Sequence, residues 1–206
     1  MHRMSILALC TSDANLDVSK CVMMAVVHDL AEAVVGDIAP WEGISKAEKV
    51  QREREGMKSM LSDMLHDGPG AIRIRELWEE YEEQATPEAK FVKDLDRLEM
   101  ALQAAEYERK FPDEPNKLQS FFDSSLPDIK HPEVAQWGGQ LQEQRTKEQS
   151  VARSSVANDN MNRSVRFEML PGTTKFDSSQ RGELSNNRCG MISVIVSSCL
   201  APGFKT

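Results

Sequence analysis

The sequence predicts an all-α protein, a bundle of packed helices, on three observations. From residue 1 to about residue 148 the apolar positions recur at helical spacing, helix-start signals stand ahead of several of these runs, and no alternating strand pattern interrupts them. With 206 residues the chain is long enough to bury one substantial core, so one main domain is expected over 1–148.

Taken in order, "MSILALC" (4–10) is apolar and reads as the remainder of a helix that begins upstream. "SKCVMMAVVHDLAEAVV" (19–35) reads as one helix, apolar almost all round and therefore central. Ser45 with Glu48 three residues on forms a capping-box pattern that opens "KAEKVQREREGMKSMLSDML", a strongly charged and therefore peripheral helix. Pro69-Gly70 breaks the chain before the amphipathic "AIRIRELWEEYEEQ". Thr86 and Pro87 fit N-cap and N1 of "PEAKFVKDLDRLEMALQAAEYERK", on which Phe91, Leu95, Leu98 and Leu102 share a face. From 149 to 206 the chain turns rich in Ser, Asn and Arg without a sustained period, which predicts a disordered tail; the run 191–199 is a strand candidate with nothing nearby to pair with.

Charge is unevenly spread. Residues 1–150 hold 18 Lys and Arg against 29 Asp and Glu, whereas 151–206 hold 7 against 4. An acidic body argues against binding a nucleic-acid polymer, which needs a basic face. Any phosphate compound would have to be attracted by something other than net charge, and a metal cation would serve. The four cysteines show no CxxC pair, and the opening residues lack a cleavage signal, so a cytoplasmic protein with free thiols is expected. No apolar run is long enough for a bilayer, and no membrane partner is expected.

The chemistry concentrates in "AVVHDLAEAVVGDIAP" (25–40), where His28, Asp29, Glu32 and Asp37 interrupt an otherwise apolar stretch. Ionised groups are seldom buried without a partner. On a helix His28 and Glu32 share a face, while Asp29 is turned by about 100° from His28. Imidazole with carboxylates suits a borderline or hard divalent ion such as Mn, Co, Fe, Mg or Zn, and the absence of sulfur disfavours a structural zinc knot. In the helix 87–110, Asp94 and Asp96 lie symmetrically about Leu95 at the border of the apolar face, and periodicity alone does not choose between them. His66 and His131 read as surface residues, and Trp78 with Tyr81 as core or dimer contact rather than a base-stacking platform.

"HDLAEAVVGDIAP" resembles the signature of the HD-domain phosphohydrolases, most closely the 5'-deoxynucleotidases of the HD-domain-containing protein 2 type. "SKAEKVQRERE", "ELWEEYEEQATPEAKFVKDLDRLEMALQAAEYE", "LQSFFDSSLPDIKHPEVAQW" and the initial "MHRM" look like family segments in the right order, so the resemblance covers roughly residues 1–145; the tail resembles nothing in the family. It implies an HD-domain helical bundle in which His28, Asp29 and a distant Asp, matched by Asp96, hold one divalent ion, with Mn, Co or Mg favoured. Glu32 and Asp37 match positions tied to catalysis or to a second metal. The implied substrate is a deoxyribonucleoside 5'-monophosphate, cleaved to deoxyribonucleoside and phosphate, and the implied assembly is a homodimer. Two other readings are a hydrolase of a signalling nucleotide on the same fold, and a non-catalytic helical interaction protein with a degenerate site.

One departure weakens the expected activity. The family's first ligand His and an Arg-Trp pair associated with substrate stand upstream of the segment matched by "MHRM", so the chain is expected to lack the family's first helices. His2 falls two residues after that ligand position, about 200° round a helix, and is not expected to replace it.

Overall fold

A computed structural model gives the backbone of residues 1–38, 42–112, 114 and 116–168, with side chains as far as residue 151. Every described element is helical, in the order α1 (His2–Leu9), α2 (Val18–Val27), α3 (Glu32–Val35), α4 (Lys46–Leu65), α5 (Pro69–Glu83), α6 (Pro87–Lys110), α7 (Gln119–Ser125), a 3-10 turn (Leu126–Asp128) and α8 (Pro132–Glu168). The first compact unit is Met1–Gly138.

The start signals in the sequence work as side-chain caps. Ser45 Oγ accepts from Glu48 N at 3.2 Å, Thr86 Oγ1 accepts from Ala89 N at 3.2 Å, and Asp17 Oδ1 accepts from Lys20 N at 3.1 Å. Pro69 and Pro87 occupy the first helical positions of α5 and α6, where a missing N–H costs nothing. Helix α6 is the central member: Phe91, Val92, Leu95, Leu98, Ala101 and Leu102 are all buried, and α1, α2, α5 and α7 pack around it. Burial of each large side chain of this kind contributes about 1.5–3 kcal/mol. Arg3 ties α1 to α6 through Glu99 (2.6 Å) and Glu106 (2.5 Å).

The helix expected over 19–35 is not continuous. Leu30 N, Glu32 N, Ala33 N and Val34 N bond to the carbonyls of Val27, Asp29, Leu30 and Ala31, each three residues back, so the chain tightens after Val27 before the short α3. Tertiary packing overrides helix propensity here: Leu30 and Ala31 pack with Met57, Leu61 and Trp78 of α4 and α5. Gly56 permits this approach, because a Cβ there would come within 3.0 Å of Val35 Cγ1. Gly36 then ends α3 at φ 79°, a conformation that favours glycine.

The backbone of α8 runs on through 149–168, with no proline or glycine between Gly139 and Pro171 to stop it. The second unit starts at Gly139, and most of the tail expected to be disordered, with the strand candidate 191–199, lies outside the described residues. One further expectation needs correction. His131 is not a surface residue: its ring packs edge-on against Phe91 with centroids 4.8 Å apart, and Nε2 lies 3.2 Å from Asp13 Oδ2. None of the described helices is long and apolar enough to cross a membrane.

Candidate metal centre

The tightened turn after α2 is what assembles the centre. On an unbroken helix Asp29 would point away from His28; in the turn its Oδ2 lies 2.9 Å from His28 Nε2. From α6, Asp96 Oδ1 approaches the same nitrogen to 3.7 Å. One ligand atom from each of His28, Asp29 and Asp96 lies within 4.8 Å of the others.

The imidazole is oriented for coordination. Its Nδ1 faces the carbonyl of Ala25 at 3.0 Å, which fixes the proton there in the neutral ring and leaves Nε2 as the free lone pair. That Nε2 is buried and, despite the nearby carboxylate, makes no hydrogen bond of acceptable geometry. A buried nitrogen without a partner, set between two carboxylates, fits a divalent cation with nitrogen and oxygen donors. In the metal-free chain a proton holds the cluster together instead. Burial alone would lower the His28 pKa, but Asp29 and Asp96 outweigh it and hold it up to about 9. Burial would likewise raise the Asp96 carboxyl, yet His28 and Lys93 hold it well below the usual carboxylate range.

The two aspartates of α6 divide the labour. Asp94 faces away from the centre, accepting from the backbone N–H groups of Lys130 (2.9 Å) and His131 (2.7 Å) and from Arg97 (2.7 Å). It thus fixes the start of α8. Asp94→Ala is expected to cost about 2–3 kcal/mol, because it leaves these donors without their charged acceptor. Thermal unfolding joined to metal analysis checks this: stability should fall while metal content per folded chain stays unchanged.

The centre opens into a cavity of about 260 Å³ lined by His28, Asp29, Glu32, Lys49, Trp78 and Tyr81 among others. Glu32 faces this cavity but is not among the converging ligand atoms. Burial, with the nearby charges of Asp29 and Asp37, pushes its pKa up to about 7. Asp37 is exposed and does not line the cavity, though its charge acts on Glu32. His2 is exposed at the start of α1 and outside the cluster. Trp78 and Tyr81 are buried, as expected of a core stripe. What the sequence reading missed is that the Tyr81 hydroxyl donates to Asp96 Oδ2 at 3.1 Å, and that Lys93 Nζ reaches the same oxygen at 2.9 Å. A buried tyrosine hydroxyl needs a partner, and that requirement was the available signal.

A helical fold that brings a His-Asp pair from one helix end and a distant Asp from the central helix to a single point defines the HD class of metal-site proteins. The family model described as HD domain matches residues 1–136, and the chain belongs to that family. Within it, the chain is 46% identical over 145 residues to 5'-deoxynucleotidase HDDC2 of Bos taurus, covering 70% of this chain and 69% of that protein. It is 47% identical over 147 residues to 5'-deoxynucleotidase HDDC2 of Danio rerio, covering 71% and 72% of the two chains. Among solved structures it is similar to the HD domain-containing protein YGK1, the name of a Saccharomyces cerevisiae 5'-deoxynucleotidase, with TM-score 0.53 and 31% identity over 71% of this chain and 75% of that one.

Proposed function

We propose that this chain is a metal-dependent 5'-deoxynucleotidase, converting deoxyribonucleoside 5'-monophosphates to deoxyribonucleosides and phosphate. The observation that carries this reading is the convergence of His28, Asp29 and Asp96 at one point in a chain so similar to proteins of that name. His28 through Nε2, and Asp29 and Asp96 through carboxylate oxygens, would hold the ion (Mn, Co or Mg by family resemblance), which when bound lowers the pKa of water and neutralises phosphoryl charge.

To Glu32 we assign the attacking water, which it would orient and whose proton it would take. Glu32 faces the cavity beside Asp29, and a carboxylate there can accept a proton from water. The water oxygen bonds to phosphorus, the bond from phosphorus to the 5'-oxygen breaks, and that oxygen must gain a proton. Asp37 is proposed for this departing end, as an acid or as a further metal ligand, on its match to the family alone, since it does not line the cavity. Lys46 and Lys49, which line the cavity, offset the surrounding carboxylates and help to admit an anion. The homodimer and the cytoplasmic location expected from the resemblance and the free thiols belong to the same proposal.

The test is phosphate release from a panel at equal concentration, with Mn²⁺, Co²⁺ or Mg²⁺ supplied. The panel holds deoxynucleoside and ribonucleoside 5'-monophosphates, guanosine tetraphosphate and a cyclic dinucleotide. Metal-dependent release from the deoxynucleotides, exceeding that from the ribonucleotides, is expected. Turnover of a signalling nucleotide alone would replace the substrate. Absence of both metal and turnover would leave a helical interaction module.

A further inference from the structure

Tyr81 is the residue that touches two members of the centre at once. Its ring lies edge-on to that of His28 with centroids 5.1 Å apart, and its hydroxyl donates to Asp96 Oδ2 at 3.1 Å. The same hydroxyl accepts from Lys93 Nζ at 3.1 Å, and Lys93 Nζ also donates to Asp96 Oδ2 at 2.9 Å. Hydroxyl, ammonium and one carboxylate oxygen thus close a triangle. Both of its donors fall on Oδ2, whereas Oδ1 is the Asp96 oxygen placed 3.7 Å from His28 Nε2. Tyr81 is only 4% exposed, and both hydrogen bonds of its hydroxyl are made within the triangle.

We propose that Tyr81 is a positioning residue: by holding Oδ2, with Lys93 completing the clamp, it presents Asp96 to the cation through Oδ1 alone. The inference rests on the metal-centre reading given above. A carboxylate free to rotate can bind a cation through both oxygens; with Oδ2 held by Tyr81 and Lys93 that second oxygen is already engaged. Hydrogen bonds to ligating carboxylates hold the ligand ready, and their loss typically weakens metal binding by about 10–100-fold. Tyr81 is the better probe of the pair. Removing Lys93 deletes a hydrogen bond and a repelling positive charge together, and the two act on metal affinity in opposite senses. Tyr81→Phe deletes the hydroxyl alone and keeps the ring that packs on His28.

Co²⁺ serves as the probe, because its visible absorption reports the number and arrangement of ligands. Titrations of the full chain are compared for wild type, Tyr81→Phe and His28→Gln. Tyr81→Phe is expected to bind Co²⁺ about 10–100-fold more weakly, and at saturation its spectrum is expected to change as Asp96 alters its mode of binding. A merely structural role for the ring predicts neither effect. Unchanged affinity in Tyr81→Phe, or weaker binding with an unchanged saturated spectrum, would overturn the clamp. If His28→Gln loses the ion while Tyr81→Phe keeps it, only the clamp fails. If His28→Gln binds as wild type does, the centre itself is misassigned and both readings fall.

Discussion

His28→Gln is expected to strip the ion from the centre, with an affinity loss larger than the about 100-fold upper bound typical of changes to ligand-supporting groups. Gln keeps most of the volume of a side chain that is completely buried, so the core is not opened. Its neutral amide oxygen is a weaker donor than the Nε2 lone pair set between Asp29 and Asp96, and those two carboxylates lose the imidazole that draws them together. Linkage gives a second measurement. An ion at about 100 times its dissociation constant stabilises the folded chain by about 2.7 kcal/mol. For a protein of this size that raises the melting midpoint by about 5–10 °C. Wild type should show this shift on adding Mn²⁺, and His28→Gln should show none. A full shift in the variant would mean that the ion binds elsewhere.

Much of this fold is legible in the chain because its signals are local. Ser45, Thr86, Pro69 and Pro87 announce helix starts by chemistry that needs no tertiary partner, and the stripe from Phe91 to Leu102 names the buried face of α6. What escapes is set by contacts between elements. The break at His28 cannot be read from "AVVHDLAEAVV", because it depends on Leu30 and Ala31 docking against Met57 and Trp78. That break is also what brings Asp29 to His28, so the sequence holds the right residues without the geometry that joins them. Asp94 and Asp96 are equivalent by periodicity, and family resemblance had to choose; in the structure the distinction lies in what each faces, the start of α8 or the imidazole. Tyr81 and Lys93 were hidden for a similar reason. A tyrosine in an apolar stripe and a lysine three residues before an aspartate both have ordinary explanations until α5 and α6 are set side by side.

Glu32→Gln should separate catalysis from metal binding. Gln matches Glu in size and can still hydrogen-bond, but it cannot accept the proton of an attacking water, so turnover is expected to fall about 10²–10⁴-fold. Metal content should stay near that of wild type, because Glu32 is not among the converging ligand atoms. Stability provides an independent check with a definite sign. In the folded chain burial and the charges of Asp29 and Asp37 raise the Glu32 pKa to about 7, above its ordinary value of 4.5. The unfolded state therefore releases the proton first, and ionised Glu32 destabilises the fold increasingly as pH rises from about 4.5 to about 7. Removing that charge should raise the melting midpoint of the metal-free protein at pH 8 and leave it nearly unchanged near pH 4. A variant with lost turnover, retained ion and higher midpoint at pH 8 is one whose carboxylate serves chemistry at a cost in stability. Loss of the ion together with turnover would instead make Glu32 a ligand, the other role implied by its match to the family, and unchanged turnover would remove it from the reaction.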